Sequence, residues 1–374
     1  MSSHLPLENF TIERFRGIKN LTLNNLGQVN VLVGKNDSGK TSVLEALELY
    51  SNPWSSLNWR MIAERRFIFD DFGDVITWLF PIKTPEIKQS KVSSIIAMQS
   101  EGSFAIRSLK IPEKKIENRS KKVIVHNLVV DIELTPKGKD PTTRRRFSLA
   151  IEEELRSSNP SFERTLQTIR KDNELTSTLS GDNPYLRTNF ISPHTHRMQP
   201  DQTETLSQLI RSGKKSALID LMQDVDQNIN DIEILILQDS RRTPTIHFLY
   251  DKDQLVPLSA FGDGVRKLFY LALRVLTAST GILLIDEIES SIHTEVLVKS
   301  FSWIMKWCRS LEIQIFLTTH SLEALDALIA AAKDFQSSFT FYRLSPKENQ
   351  VKTFRYDLDD IHTLRYGMGQ EVRW

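Results

Sequence analysis

The 374-residue sequence contains one cysteine, Cys308, which excludes an internal disulfide and any Cys-x-x-Cys zinc hook. Cys308 falls among Phe301, Ile304 and Met305 at helical spacing, so core packing is its expected job. No apolar run approaches the roughly 18 residues of a membrane span. The amino terminus lacks the basic, apolar and small-residue layout of a secretion signal. Excess charge of one sign is also missing: 48 Lys and Arg against 47 Asp and Glu give a net +1, with no global pull toward nucleic acid or an anionic membrane. Sustained heptads, internal repeats and low-complexity tracts do not occur, which argues against long coiled-coil arms. These absences predict a soluble, cytoplasmic protein. Its length exceeds the roughly 250 to 300 residues at which one core stops growing, so a domain with a large insertion, or two lobes, is expected.

What is present centres on Gly34-Lys35-Asn36-Asp37-Ser38-Gly39-Lys40-Thr41, which fits the phosphate-binding pattern G-x-x-x-x-G-K-[ST] at every fixed position. It follows a strand-like run, Val29 to Val33. The helix expected after it carries Val43, Leu44, Leu47 and Tyr50 on one face. Gly34 and Gly39 let the backbone curl until its N–H groups meet phosphate oxygens at a helix N-terminus. Lys40 is expected at the β- and γ-phosphates, the Thr41 hydroxyl on Mg²⁺, and Asn36, Asp37, Ser38 and Ser42 around the nucleotide.

Two further segments suit the same chemistry. Gly281 and the apolar Ile282-Leu283-Leu284-Ile285 read as a strand buried on both faces, delivering Asp286 and Glu287 at its carboxyl end. Asp286 is placed to hold Mg²⁺, directly or through water, and Glu287 to take a proton from attacking water. A second strand candidate, Ile313 to Thr318, leads to Thr319-His320-Ser321, where His320 is positioned to sense a γ-phosphate.

The order of phosphate loop, long insertion, Ser259-Ala260-Phe261-Gly262-Asp263-Gly264-Val265-Arg266, Asp286-Glu287-Ile288-Glu289 and Thr319-His320-Ser321 resembles the ABC-type ATPases of the OLD and RecF/SMC group. It is most similar in character to the OLD-like AAA ATPases of bacterial anti-phage systems such as PARIS. Phe10 to Ile18 resembles the opening strand of that group. The resemblance covers both ends of the chain and is weak between about residues 52 and 200.

The resemblance implies an α/β ABC-type P-loop head: a mixed central sheet flanked by helices, interrupted by an insertion that is first β-rich and then helical. It also implies ATP as substrate with Mg²⁺, and a homodimer or higher even-numbered assembly in which ATP lies between two heads. Ser259, Gly262, Asp263 and Gly264 would then face the partner's phosphates, since small residues open a helix running through Val265, Leu268 and Phe269. Ala260 and Phe261 depart from the transporter form of this signature. Glu289 and His293 follow Asp286-Glu287 as in the resembled group, near its dimer interface. Arg266 is either a helix-surface residue or a group approaching phosphate across the interface.

The expected division is an ATPase core of residues 1–50 and 231–374, a β-rich insertion over 51–151 and a helical part over 152–230. After His320, a helix (321–333) and strands (339–344, 351–356) are expected, which would leave no room for the nuclease domain that follows the ATPase in full-length OLD proteins. A separate nuclease-like effector is therefore the implied partner, in a phage-sensing role. Basic runs at Lys110 to Lys122 and Arg144 to Arg146 suit either solvated hairpins or nucleic-acid phosphates. His194 and His196 have metal-like spacing without a third ligand and read as loop. Three other readings share the head: a RecF-type repair ATPase, a transporter subunit, disfavoured by the signature, and a nucleotide-gated scaffold that scarcely hydrolyses.

Overall fold

The computed structural model describes residues 5–52, 58, 61–62, 65, 78–79, 95–99, 103–110, 113–118, 121–134, 147–155, 186–193, 202–236, 244–251, 253–278, 281–290, 292–333, 335, 339–347 and 350–372, with 95–155 described by backbone and strand pairing. The basic runs, as side chains, and the His194–His196 pair lie outside the described residues.

In chain order come β1 (Phe10–Phe15), β2 (Ile18–Leu23), β3 (Val29–Val33) and α1 (Lys40–Ser51). Then follow β4 (Ile95–Gln99), β5 (Ser103–Lys110), β6 (Glu113–Asn118), β7 (Lys121–Leu134), β8 (Phe147–Leu155) and β9 (Thr188–Ile191). Helices α2 (Gln202–Arg211) and α3 (Lys215–Val225) lead to β10 (Ile229–Ile236), β11 (Pro244–Tyr250), β12 (Gln254–Pro257) and α4 (Asp263–Thr277). The remainder is β13 (Gly281–Ile285), α5 (Thr294–Ser310), β14 (Ile313–Thr319), α6 (Leu322–Ala332), β15 (Phe339–Lys347), β16 (Gln350–Tyr356) and α7 (Leu358–His362).

The central sheet runs β16-β15-β3-β14-β13-β9; its pairs are parallel except for the antiparallel edge strand β16. The inner strand β13 reads as a continuous apolar run because both faces are covered. The alternation of the pleat sorts the side chains of the sheet. Val29, Val31, Val33, Leu283, Ile285, Ile315 and Leu317 face the core built with α2 to α6. Leu32, Ile282, Leu284, Phe316 and Tyr342 face the other core, built with α1, β1 and β2. Cys308 is buried in the first of these, where burial pushes its thiol pKa up.

A second, antiparallel sheet runs β2-β1-β4-β5-β7-β6, with β8 on the other edge of β7, and covers the α1 side. A third joins β10, β11 and β12. Two buried amides fasten the amino-terminal segment to the central sheet. Gln314 Nε2 donates to the Leu7 and Gly27 carbonyls at 2.8 and 2.9 Å, and Asn30 Nδ2 donates to the Gly27 and Ile315 carbonyls at 2.8 and 3.1 Å. Hydrogen-bonding on this scale lets polar groups sit in a core at little cost.

Several strand pairings cross the sequence-based boundaries. β9, inside the stretch read as helical, completes the central sheet beside β13, and β8 runs on to Leu155. A short strand with polar Thr188 and Asn189 at a sheet edge carries no continuous apolar signal. Its approach is close: a Cβ on Gly281 would lie 2.3 Å from the Arg187 carbonyl oxygen. Leu206, Leu209, Leu218 and Leu221 of α2 and α3 share one core with α4. Conversely β1 and β2, read as core, belong to the sheet that includes β4. Among the described residues no helix is long and apolar enough to cross a membrane.

Candidate nucleotide site

The parallel strands β3, β14 and β13 lie side by side, so their carboxyl ends deliver Gly34, Thr318 and Asp286 to one edge of the sheet, where doubly wound folds bind ligands. The loop after β3 turns through positive φ at Gly34 (154°), Asp37 (60°) and Gly39 (93°) before α1 begins at Lys40. A Cβ on Gly34 would meet the Leu344 carbonyl oxygen at 2.6 Å and Ser38 Oγ at 2.7 Å, so glycine is required there. Lys35, Asn36 and Asp37 are exposed, whereas Ser38 is buried with its hydroxyl making no hydrogen bond. Val43, Leu44, Leu47 and Tyr50 anchor α1 in the core and hold its amino end at the loop.

Lys40 Nζ donates to the Gly34 and Lys35 carbonyls, each at 2.8 Å, closing the loop on itself. Burial lowers the Lys40 pKa, with Asp286, Glu287, Glu289 and Asp37 pulling the other way. Thr41 Oγ1 lies 3.0 Å from both carboxylate oxygens of Asp286, joining the loop to the end of β13. A hydroxyl and a carboxylate at that junction are hard oxygen donors that suit Mg²⁺, which takes one or two carboxylates and completes its shell with phosphate and water. The buried Ser38 hydroxyl, the Lys40 ammonium and the α1 amino end suit an anion.

Thr318, buried at the end of β14, ties the site together. Its Oγ1 donates to Asp286 Oδ1 at 2.7 Å and accepts from the Glu287 backbone N–H at 2.8 Å. Glu287 has φ +47°, a left-handed conformation uncommon for a residue with a side chain, and its carboxylate is 42% exposed at the site. His320 is brought to the same place: its Nδ1 is 3.1 Å from Glu289 Oε1 and 4.0 Å from Glu287 Oε1. Glu289 Oε1 also accepts from the backbone N–H of His320 and Ser321, fixing the start of α6.

The structure therefore joins Lys40, Thr41, Asp286, Glu287 and His320 in one chain. The start of α4 stands differently. Ser259 lies in a single 3₁₀ turn, Gly262 precedes the helix with open space where a Cβ would be, and Asp263 accepts from Arg266 at 3.3 Å on its own helix. What α4 sends into the site is Lys267, almost completely buried, whose Nζ donates to the Glu287 carbonyl at 2.8 Å. Burial lowers its pKa to about 8, against the pull of Glu289, Glu287 and Asp286. Sequence reasoning missed Lys267 and Thr318. The signals were a lysine four residues before Leu271 on an apolar stripe and a threonine inside an apolar strand. His293 is exposed at the start of α5, and its Nδ1 is 4.0 Å from Glu295 Oε2.

Residues 29–326, spanning β3 to the middle of α6, match the family described as "AAA domain, putative AbiEii toxin, Type IV TA system". The chain belongs to this AAA-domain family. A relative from Helicobacter pylori named ATP/GTP phosphatase is 22% identical over 370 residues, covering 92% of this chain and 94% of its own length. An uncharacterised Methanocaldococcus jannaschii protein is 52% identical over 44 residues, 12% of this chain and 20% of its own. Among solved structures, an SMC head bound to the C-winged helix domain of ScpA superimposes with a TM-score of 0.50 at 12% identity, covering 95% of this AAA-domain protein and 99% of that chain. The shared feature is an α/β fold with a mixed central sheet flanked by helices.

Proposed function

We propose that this AAA-domain protein is an Mg²⁺-dependent ATP/GTP phosphatase whose heads associate around nucleotide and rearrange on hydrolysis. The observation that carries the reading is the junction of Thr41 with Asp286 at 3.0 Å, beside Glu287 and His320 at the carboxyl edge of the sheet. The matched family and the named activity of the Helicobacter pylori relative support it.

When bound, Mg²⁺ supplies charge neutralisation at the phosphates. The chain's own residues do the rest by positioning and electrostatics. Lys40 exchanges its bonds to the Gly34 and Lys35 carbonyls for phosphate oxygens. Thr41 and Asp286 would hold the metal, with Thr318 fixing the Asp286 carboxylate from behind. Glu287 takes a proton from water, and His320, steadied by Glu289, senses the γ-phosphate. Across the association interface, Ser259, Gly262, Asp263 and Gly264 meet the nucleotide of a second copy.

The finer setting in this proposal is OLD-like anti-phage defence, in which the ATPase restrains or releases a separate effector, nuclease-like in the resembled systems. The toxin description of the matched family supports that setting over DNA repair. The test of the activity is phosphate release from ATP and GTP with Mg²⁺. The parent should turn over and Lys40→Ala should not, with nucleotide affinity lowered at least about 100-fold. Equal release by both would refute the reading.

A further inference from the structure

Glu287 is gripped from two sides. Its N–H donates to Thr318 Oγ1 at 2.8 Å, and its carbonyl oxygen accepts from Lys267 Nζ at 2.8 Å. The same ammonium lies 3.5 Å from the Ile288 carbonyl oxygen. Lys267 is 1% exposed, so the ammonium sits within the fold, where a cation is costly unless carbonyls and carboxylates answer it. Asp286, Glu287 and Glu289 all act on it. The left-handed backbone at Glu287 is a strained state that persists only where its surroundings fix it, and the two buried side chains do so. With both backbone groups held, the half-exposed carboxylate has little freedom beyond its own rotamers.

We propose that Lys267 is a positioning residue for hydrolysis: by holding the Glu287 carbonyl it keeps the Glu287 carboxylate beside the Thr41–Asp286 junction and makes that placement depend on helix α4. The inference rests on the reading of Glu287 as the base. Because α4 begins at Gly262–Gly264, any displacement of that helix moves Lys267 and loosens or restores the turn that carries Glu287. Hydrolysis is thereby tied to the position of α4.

The experiment is a double-substitution cycle. Lys267→Met keeps an unbranched apolar stem of the same length and removes the ammonium at its end. Phosphate release is followed under single-turnover and steady-state conditions for the parent, Lys267→Met, Glu287→Gln and the double variant, with ATP affinity measured in parallel. Lys267→Met should lower kcat about 10- to 100-fold, the scale of an ångström-sized misplacement, and leave ATP affinity within about threefold. In the Glu287→Gln background it should cause no further loss, since the group it positions is gone. A parent-like kcat, losses that multiply in the double variant, or affinity falling as far as kcat would overturn the inference. Parent-like turnover by Glu287→Gln alone would instead show that the base was misassigned, and the inference would fall with it. Should Lys267→Met not fold, Lys267→Gln, which retains a shorter N–H donor, enters the same cycle with the same criteria.

Discussion

Replacing Thr318 by valine keeps the branched shape packed inside β14 and removes both hydrogen bonds that its hydroxyl makes. The bond to Asp286 Oδ1, at 2.7 Å, serves a carboxylate, and bonds to charged groups contribute about 1.5 to 3 kcal/mol. The bond from the Glu287 N–H, at 2.8 Å, leaves a backbone donor orphaned when it goes, at about 1 to 3 kcal/mol. The added methyl recovers about 0.8 kcal/mol of apolar burial. Asp286 retains Thr41, which limits its loss to the lower part of the range. The expected net destabilisation is about 2 kcal/mol. Urea unfolding of nucleotide-free parent and variant, followed by tryptophan fluorescence, to which Trp303 and Trp307 packed against the core contribute, should show a lower midpoint at unchanged slope. A difference below about 0.5 kcal/mol would refute the reasoning that Thr318 braces the site.

Gly34→Ala should lower nucleotide affinity at least about tenfold, because the new Cβ meets the Leu344 carbonyl oxygen at 2.6 Å and the loop must open; parent-like titration with a fluorescent nucleotide would contradict this. Alkaline pH should stabilise the fold through Lys267. Its pKa is about 8 folded against 10.5 unfolded, so between those values the unfolded chain binds more protons and stability rises with pH, by up to about 3 kcal/mol. Below pH about 8 both states are protonated and this contribution is flat. Tyr342, raised to about 12 by burial, acts in the opposite sense from pH 10 upward. Urea midpoints of the parent should therefore climb relative to Lys267→Met from pH 8 to 10, where parallel curves would contradict the assignment.

The strands leading to Gly34, Asp286 and His320 were legible as strands because segments covered on both faces carry largely apolar runs, and the glycine spacing marked the loop before α1. The alternate sorting of Leu283 and Leu284 into two cores is the physical origin of the run that announced β13. Thr318 and Lys267 were not legible as site residues. Each acts on groups about twenty or thirty positions away in sequence, and each looks locally like an imperfect core residue. β9 was hidden for another reason: at four residues and at the edge of the sheet among the described residues, it needs little apolar character to pair with β13. The signature segment Ser259 to Gly264 could be placed at the head of α4, but its proposed ligand belongs to a second copy.

The most direct test of the central claim separates binding from chemistry at Glu287. ATP affinity and phosphate release in Mg²⁺ should be measured on the parent and Glu287→Gln, with light scattering to follow association. The account predicts near-parent affinity, a fall in turnover of about 10²- to 10⁴-fold and accumulation of the associated form. Turnover equal to that of the parent would contradict it.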